Sequence, residues 1–222
     1  MLPGLELLPL DGPLPECADD ALERAVRDAG YGVVAGVDEV GRGCLAGPVV
    51  AAAAILPAGF VLEGLTDSKK MSLEARTAAD AALRQQAAVS VGICTVKEID
   101  RWNILRASLQ AMQRALQGLG TQPDFLLVDG NQTLPGMSCP QQTVIKGDAR
   151  CVSIAAASVV AKVARDRMMA ELAAEYPEYG WERNVGYGSG EHLDALRRLG
   201  PTPHHRRSFR LGIEDQSQTS LF

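Results

Sequence analysis

The sequence has little of several features that mark special classes of protein. Aromatic residues make up only 5% of its 222 residues, so the core must be built mainly from alanine, valine, leucine and isoleucine. No stretch approaches the roughly 18 apolar residues of a membrane span. The N-terminal apolar run is interrupted by prolines and acids and follows no basic segment, which excludes a secretory signal peptide. These absences predict a soluble protein.

Cysteine and histidine are poorly arranged for disulfide or zinc chemistry. The five cysteines are widely spaced, no two of them form a CxxC pair, and there are only three histidines. A zinc knuckle is therefore excluded, and the odd number of cysteines favours reduced thiols. Because reduced thiols are typical of the cytoplasm, we expect a cytoplasmic protein.

Length and overall composition indicate one globular unit with an appendage. Hydrophobic residues make up 46% and charged residues 22%, close to average globular usage, which excludes disordered and fibrous classes. The chain is long for one small domain and short for two full ones. A chain of this size buries roughly 70% of the surface that it exposes when unfolded, so folding requires no disulfide or structural metal.

The net charge of −5 is unevenly distributed along the chain. Residues 1–30 carry seven acids against two arginines, so the remainder is neutral overall. Residues 142–167 carry five basic residues against two aspartates, and residues 183–210 carry six arginines against two acids. Two basic segments on a neutral body can line a groove for nucleic acid, although solvated helix faces have the same charge pattern.

Hydrophobic periodicity predicts both strands and helices. Strands are predicted over 31–38, 49–56, 88–96, 125–128 and 143–146. Helices are predicted over 18–29, 72–87 with Ser72 as N-cap, 97–119, 153–175 and 191–199. Strands in hairpin order, followed by alternating helices and strands, predict an α/β fold: a mixed central sheet flanked by helices, with a C-terminal helical extension.

Four acidic residues end apolar segments and are candidates for one site, namely Asp38, Glu39, Asp129 and Asp148. Neighbouring side chains on a strand point to opposite faces, so the first strand must twist or bulge if Asp38 and Glu39 are to share a site. Clustered carboxylates repel one another unless cations offset the repulsion, and Mg²⁺ prefers oxygen ligands. Each acid taken singly could instead cap a turn, and spacing alone leaves Asp166 as a competitor for the fourth position.

A glycine-rich segment directly after Asp38 and Glu39 allows a second interpretation. Residues 41–46 formally fit the dinucleotide fingerprint GxGxxG/A. That motif must open a helix whose N-terminus receives a pyrophosphate, whereas here it leads into the predicted strand 49–56. The two preceding carboxylates would also repel a pyrophosphate. We therefore do not expect a nucleotide cofactor.

Seven segments of the sequence resemble the ribonuclease HII family, in order and at that family's spacing. They are GVDEVGRGCLAGPVVAAAAIL (36–56), TDSKKMS (66–72), LLVDGN (126–131), IKGDAR (145–150), SIAAASVVAKVARDRMM (153–169), GYGSGEHLDAL (186–196) and TPHHRRSF (202–209). The resemblance spans about residues 32–209. It implies a ribonuclease H-like fold and an endoribonuclease that cuts the RNA strand of RNA/DNA hybrids and the 5′ side of single ribonucleotides in duplex DNA.

By motif match, the resemblance implies that the metal-binding and catalytic carboxylates are Asp38, Glu39, Asp129 and Asp148. It favours Asp148 over Asp166, for which an i,i+4 ion pair with Lys162 is the simpler role. Two divalent ions, Mg²⁺ or Mn²⁺, are expected to support in-line hydrolysis that leaves a 3′-hydroxyl and a 5′-phosphate.

The resemblance also implies a set of substrate contacts. The Gly41-Arg42-Gly43 element is expected to read the ribose 2′-hydroxyl, and Tyr187 to stack on the neighbouring sugar. Further positions near phosphates or the site are Ser68, Lys69, Lys146, Lys162, Arg206 and Ser208. The chain departs from the family pattern at Val185 and Gly190, where lysines are common, so we expect a weaker phosphate grip on that side.

The expected domain organisation has four parts. Residues 1–30 form an acidic lead-in with a helix, residues 31–175 a catalytic domain, residues 176–212 a helical substrate-binding extension, and residues 213–222 a flexible tail. In that tail Gln218, Leu221 and Phe222 resemble the peptide by which bacterial repair proteins dock on the sliding clamp. We expect a monomer that binds RNA/DNA hybrid or ribonucleotide-containing duplex and no membrane. The alternatives are a nuclease of branched DNA and an adaptor without catalysis.

Overall fold

The computed structural model describes residues 14–15, 17–62, 65, 68 and 71–213. Five strands lie within these residues: β1 (Val34–Val40), β2 (Val49–Ile55), β3 (Ala88–Cys94), β4 (Phe125–Asp129) and β5 (Gln141–Val144). The same part of the chain contains seven α-helices: α1 (Ala21–Asp28), α2 (Leu73–Gln86), α3 (Val96–Trp102), α4 (Ile104–Gln117), α5 (Val152–Glu175), α6 (Trp181–Asn184) and α7 (Gly190–Leu199).

The strands form one mixed sheet in the order β3-β2-β1-β4-β5. The pairs β1–β2 and β2–β3 are antiparallel, whereas β1–β4 and β4–β5 are parallel. The predicted mixed α/β fold is therefore confirmed. Because β1 and β4 are parallel neighbours, the residues that follow them meet at the same edge of the sheet, with the β1–β2 loop beside them.

Small side chains allow helices to lie close to both faces of the sheet. Alternate alanines of β2 point to opposite faces: Ala51 and Ala53 pack in a core cluster with α4, and Ala52 and Ala54 pack in another with α2 and α5. A Cβ atom on Gly36 would lie 2.3 Å from the backbone carbonyl carbon of Ser153, so only glycine fits where β1 meets α5. The small-residue opening of α5 thus packs directly on the sheet, as its composition indicates.

The single helix predicted over 97–119 is wrong, because the segment is two helices that meet at Asn103. This residue has φ of 72°, in the left-handed region that asparagine tolerates better than most residues. Its side chain caps α4 by accepting a hydrogen bond from the Arg106 backbone N–H at 3.1 Å. The strand predicted to reach residue 96 ends at Cys94, because Thr95 and Glu98 form a capping box that begins α3.

The N-terminal helix α1 is attached to the beginning of α5. Glu23 is buried, and its Oε1 atom accepts hydrogen bonds from the Ser153 backbone N–H at 2.7 Å and from the Cys151 thiol at 3.1 Å. The Val152 backbone N–H donates to the Asp19 carbonyl at 2.9 Å. Part of the acidic N-terminal segment therefore supplies partners for backbone groups at the start of the longest helix.

The C-terminal helices pack on the second half of α5 around an aromatic cluster. Trp181 is fully buried among Tyr179, Met169 and Leu196, together with Ala46 from the β1–β2 loop. This cluster brings the C-terminal region against the loop that follows Asp38 and Glu39. All five cysteines are free thiols, and no described helix is long and apolar enough to cross a membrane.

Candidate active site

Three of the four predicted carboxylates lie together where β1 and β4 separate. Val37 pairs with Val128 in the last step of the β1–β4 ladder, so Asp38 and Asp129 are neighbours at the ends of these strands. One oxygen from each of Asp38, Glu39 and Asp129 lies within 4.8 Å of the others. The sheet topology thus places one acid cluster at the strand ends.

The bulge considered for β1 is not formed. The β1–β2 register runs without an inserted residue from Ala35 to Val40, and it includes Asp38 opposite Ala52 and Glu39 opposite Ala51. The β1–β4 pairing ends before Asp38, which leaves space on that side of β1 for both carboxylates. Adjacent residues of one strand consequently contribute to the same cluster without a break in the ladder.

Asp38 is the most deeply buried member of the cluster, with 6% of its surface exposed. Burial raises the pKa of its carboxyl well above the usual value, and the charges of Asp129, Glu39 and Asp148 raise it further. A hydrogen bond from the Ser158 hydroxyl acts in the opposite direction. The Ser158 hydroxyl also lies 3.0 Å from that of Ser68. The balance strongly disfavours the ionised carboxylate when no cation is nearby.

Glu39 links the cluster to the glycine-rich loop. Burial raises the pKa of its carboxyl, the charge of Arg42 lowers it, and Asp129 raises it again. The Arg42 guanidinium donates a hydrogen bond to Glu39 Oε1 at 3.0 Å, although half of the arginine side chain is exposed. Arg42 therefore supplies only partial compensation for the acidic charge.

Asp148 lies in the 3₁₀ turn Gly147–Ala149, between β5 and α5. It is half-buried, and its charge contributes to the raised pKa of Asp38. Asp129 accepts a hydrogen bond from the Gly147 backbone N–H at 2.7 Å, which ties this turn to the cluster. Asp166 instead pairs with Lys162 at 2.6 Å on α5, so its expected i,i+4 ion pair is confirmed.

The donor set of this cluster fits a hard divalent cation. All of its ligands are carboxylate oxygens, which Mg²⁺ and Mn²⁺ prefer over nitrogen or sulfur. Burial and the neighbouring carboxylates raise the pKa of Asp38, so added positive charge at this place favours its ionised form. Divalent cations would restore the ionised state of the carboxylates, so the residues present suit such ions.

Two buried arginines, Arg165 and Arg206, contact the glycine-rich loop after β1 on its interior side. Gly41 has φ of +92°, and a Cβ atom there would lie 2.2 Å from Nε of Arg165. Arg165 donates hydrogen bonds to the carbonyls of Pro48, Val185 and Ala46 at 2.8–3.1 Å. Sequence reasoning missed this residue. Helical spacing could have indicated it, because Arg165 lies seven residues after Ser158 and four residues before Met169. These spacings place all three residues on the same face of α5.

Arg206 requires a correction to its expected role at the substrate. It is fully buried, and its guanidinium donates to the carbonyls of Gly41 at 2.7 Å and Arg42 at 2.9 Å, and to those of Gly47 and Pro48. A side chain so enclosed cannot reach a phosphate. Arg206 therefore holds the carbonyls of the glycine-rich loop from its buried side.

Tyr187 faces the glycine-rich loop. Its side chain is 43% exposed, and a Cβ atom on Gly43 would lie 3.8 Å from Cε1 of the tyrosine ring. Gly43 and Arg42 are themselves exposed. The exposed ring and the exposed loop are therefore adjacent parts of one surface, and the loop follows Glu39 of the acid cluster in the chain. Gly186 and Gly188 stand on either side of the tyrosine in the sequence.

The remaining predicted substrate residues differ in what their side chains reach. Ser68 is buried against Ser158, and Lys162 is half-buried in its pair with Asp166. Lys146 is exposed at the end of β5, and the exposed Ser208 hydroxyl donates to Asp100 at 2.7 Å. Lys69, Gln218, Leu221 and Phe222 lie outside the described residues.

Comparisons with known proteins agree with this architecture. The family model for Ribonuclease HII matches residues 35–211. A Ribonuclease HII of Ruegeria pomeroyi is 57% identical over 192 residues, which cover 86% of this chain and 82% of that protein.

Two solved structures share the fold. The ribonuclease H2 of Pyrococcus horikoshii has a TM-score of 0.67 and 28% identity, and the match covers 81% of this chain and 95% of that one. A ribonuclease HII of Archaeoglobus fulgidus, solved as a complex with PCNA, has a TM-score of 0.70 and 23% identity over 80% of this chain and 95% of that one. From the matched residues and the acid cluster, the chain belongs to the ribonuclease HII family of metal-dependent endonucleases, which degrade the RNA strand of RNA/DNA hybrids.

Proposed function

We propose that this endonuclease also cuts duplex DNA on the 5′ side of single embedded ribonucleotides, and that it hydrolyses the phosphodiester in line to give 3′-hydroxyl and 5′-phosphate ends. The observation that carries the proposal is the exposed surface formed by Gly43 and the adjacent Tyr187 ring, on a loop that directly follows Asp38 and Glu39 of the acid cluster. A site that cuts at one ribonucleotide must recognise one 2′-hydroxyl next to the scissile phosphate, and this arrangement offers both functions within one surface.

The carboxylates of Asp38, Glu39, Asp129 and Asp148 are proposed to hold the catalytic cations. Two divalent ions, Mg²⁺ or Mn²⁺, would supply a nucleophilic water and stabilise the charge of the leaving 3′-oxygen. The burial of Asp38 and its hydrogen bond from Ser158 orient one carboxylate. The bond from the Gly147 N–H to Asp129 orients a second. The chain itself then needs no nucleophilic side chain.

The loop Gly41–Gly43 is proposed to read the 2′-hydroxyl with its backbone. Arg206 holds the carbonyls of Gly41 and Arg42 toward the interior, so the orientation of the loop is set before substrate binds. Gly43 carries no side chain and is exposed, which allows a sugar to approach its backbone closely. Tyr187, beside the loop, would stack on the next sugar and favour a ribonucleotide-to-deoxyribonucleotide junction.

Basic residues around the site are proposed to position the phosphate backbone without reading sequence. Lys146 is exposed close to Asp148, and Arg42 is exposed on the loop. Lys162 and Lys69 are assigned to the same task, with Ser68 and Ser208 near the site. We further propose a cytoplasmic monomer in which residues 31–175 carry the chemistry, residues 176–212 complete the substrate surface, and residues 1–30 and 213–222 are the lead-in and the tail.

A duplex with one ribonucleotide tests the proposed activity. With Mg²⁺ or Mn²⁺, we expect cleavage 5′ to the ribonucleotide and none of an all-DNA duplex, and we expect chelation to abolish it. Asp129→Asn should lower the rate by about two orders of magnitude or more, because it removes a charged ligand from the cluster. Cleavage of long RNA/DNA hybrids alone would contradict the proposed junction reading while leaving the family's activity intact.

The fourth carboxylate has a matched control on the same protein. Asp148→Asn should lower cleavage as Asp129→Asn does, whereas Asp166→Asn should retain most of the activity because Asp166 is paired with Lys162. If Asp166→Asn were the more damaging variant, the assignment of Asp148 would be wrong. Substrate binding without cleavage, in the unmodified protein as in the variants, would favour a binding adaptor instead of a nuclease.

A second proposed function is docking on the bacterial sliding clamp through the C-terminal tail. The tail ends in QTSLF, a glutamine followed by a terminal Leu-Phe pair that can fill an apolar pocket. The Archaeoglobus fulgidus protein with this fold was solved as a complex with PCNA, which is a structural precedent for clamp docking. Replacing Leu221 and Phe222 with alanine should abolish clamp pull-down and leave hydrolysis of free substrate unchanged. Ser217→Ala is the control, and clamp binding that survives loss of the Leu-Phe pair would refute the assignment.

A further inference from the structure

Two buried histidines form a continuous hydrogen-bonded chain behind the substrate surface. His192 Nδ1 lies 2.8 Å from the Tyr187 carbonyl oxygen, and its Nε2 lies 2.9 Å from Nε2 of His205. Trp181 Nε1 lies 3.1 Å from His192 Nε2. His205 Nδ1 lies 2.9 Å from the Thr202 backbone nitrogen. Both histidines are buried, with at most 1% of their surface exposed.

The partners fix the proton on each ring. The Tyr187 carbonyl can only accept, so His192 must carry its proton on Nδ1. The Thr202 backbone N–H can only donate, so His205 Nδ1 must accept and the His205 proton lies on Nε2. That proton and the indole N–H of Trp181 are then both directed at the remaining lone pair of His192 Nε2. Every donor in the chain therefore has an acceptor while both imidazoles are neutral.

The environment keeps the pair neutral. Burial lowers the pKa of His192. Burial, the neighbouring imidazole of His192 and the charge of Arg207 lower the pKa of His205 to about 3. A proton added to either ring would place two N–H donors against each other or leave a donor without an acceptor. The pair is thus a rigid structural element at neutral pH.

Each histidine is connected to one of two neighbouring parts of this surface, Tyr187 or the Gly41–Gly43 loop. His192 holds the backbone of Tyr187 directly. His205 precedes Arg206, whose guanidinium holds the carbonyls of Gly41 and Arg42, and His205 itself forms an antiparallel bridge with Ala46. A displacement of one ring relative to the other would therefore change the spacing between the tyrosine and the loop.

We propose that His192 and His205 are positioning residues that fix the Tyr187 backbone relative to the Gly41–Gly43 loop and thereby set the preference for a ribonucleotide junction. The proposal rests on the proposed role of Tyr187 at the junction. Imidazole suits this task because it is a flat, rigid ring with a donor and an acceptor on opposite edges, whereas a flexible amide can reproduce only one of the two contacts at a time.

Two substitutions of His192 separate the two contacts. In His192→Gln the amide reaches the position of Nε2, so contacts with His205 and Trp181 can persist while the donor to Tyr187 is lost. In His192→Asn the amide N–H replaces Nδ1, so the bond to Tyr187 can persist. Tyr179→Phe is a matched control, because it removes a buried hydrogen bond of 2.6 Å to the Gly200 carbonyl in the same aromatic cluster.

The measurement is kcat and KM on a single-ribonucleotide duplex and on a long RNA/DNA hybrid. We expect His192→Gln to lower kcat/KM on the first substrate by about tenfold relative to the second, the scale of one lost hydrogen bond. His192→Asn, which keeps the bond to Tyr187 but loses the link to His205, should lower the same ratio, whereas Tyr179→Phe should leave the ratio of the two substrates unchanged. The positioning role would be overturned if the ratio of kcat/KM on the two substrates were the same in His192→Gln as in Tyr179→Phe.

Two further measurements keep the result unambiguous. If Tyr187→Ala leaves the substrate ratio unchanged, the proposed junction reading fails; if it changes the ratio while His192→Gln does not, only the histidine proposal fails. On the unmodified protein, long-range ¹H–¹⁵N correlation of the imidazoles should show the Nδ1–H tautomer for His192 and the Nε2–H tautomer for His205. The opposite tautomers would overturn the proposal even if the variants failed to fold.

Discussion

At the scale of single residues, two positive charges are buried beneath the loop of the active site. Arg165 and Arg206 are fully buried, and their guanidiniums are bound to backbone carbonyls. Burial lowers the pKa of Arg206 to about 10, which still leaves it charged at neutral pH. Because a guanidinium presents donors in a rigid fork, each arginine can hold several carbonyls at once. A lysine at either position would lose most of these bonds.

The buried His205 makes stability depend on pH. Its folded pKa, about 3, is depressed below the value near 6.5 of an unfolded histidine. Unfolding therefore takes up a proton, so the contribution to stability is complete above about pH 6.5 and is lost as the pH falls toward 3. We predict that His205→Gln, which does not titrate, loses less unfolding free energy than the unmodified protein between pH 7 and pH 5. One proton accounts for at most about 1.4 kcal/mol per pH unit.

Urea unfolding at several pH values checks this prediction. The groups that face His205 are His192 on α7, the rings of Tyr179 and Trp181, and the charged or titratable neighbours Arg207 and His204. Tyr179→Phe, which alters a ring that faces His205 but removes no group that titrates between pH 5 and pH 7, is the control and should keep the pH dependence of the unmodified protein. Identical pH slopes for His205→Gln and the unmodified protein would contradict the depressed pKa.

At the scale of secondary-structure elements, the contact between β1 and α5 positions Asp38 of the acid cluster. Gly36 lies two residues before Asp38, and a Cβ atom there would approach the Ser153 backbone to 2.3 Å. We predict that Gly36→Ala destabilises the fold by about 1–3 kcal/mol, because the clash is with backbone that no rotamer change relieves. Gly32→Ala, whose Cβ atom would have its nearest neighbour at 3.9 Å, should be close to neutral. Thermal unfolding of both variants tests this prediction. If Gly36→Ala and Gly32→Ala had the same Tm, α5 would be able to move away from β1.

The sequence predicted those elements whose signals are local. All five strands, the Ser72 cap of α2 and the helix predicted over 153–175 followed from hydrophobic runs and from the polar residues that bound them, with ends displaced by a few residues. The break at Asn103 was not predicted, because the apolar spacing continues through it and only the backbone conformation reveals the kink. The long helix signal thus concealed two shorter helices.

The acid cluster could be anticipated in the same way, whereas its supports could not. Carboxylates that directly follow apolar strands can be recognised in the sequence. Because the ends of neighbouring parallel strands lie at the same edge of a sheet, such carboxylates are expected to lie close together. Arg206 bonds to carbonyls about 160 residues earlier in the chain, and His192 bonds to a carbonyl and to a second histidine. Every residue has a backbone carbonyl, so a side chain that bonds to one requires no particular residue type as its partner. Such contacts therefore produce no sequence motif.

At the scale of the whole molecule, the stability of the fold and the charge of the acid cluster are coupled. The raised pKa of Asp38 means that the ionised cluster opposes folding when no cation is present. Ions that bind only the folded state stabilise it, by about 2.7 kcal/mol at a concentration one hundred times Kd. Metal binding should therefore appear as a global stabilisation, although its ligands occupy one edge of the sheet.

We predict that Asp38→Asn stabilises the metal-free protein while abolishing its response to metal. Removal of one repelling carboxylate should raise Tm by about 2–4 °C for each kcal/mol gained at this chain length. With Mn²⁺ the unmodified protein should gain further stability, and Asp38→Asn should gain little. Glu171→Gln, an exposed acid on α5, is the control and should respond to Mn²⁺ like the unmodified protein. A lower metal-free Tm for Asp38→Asn, with an undiminished Mn²⁺ shift, would mean that Asp38 is neither strained by its neighbours nor a ligand.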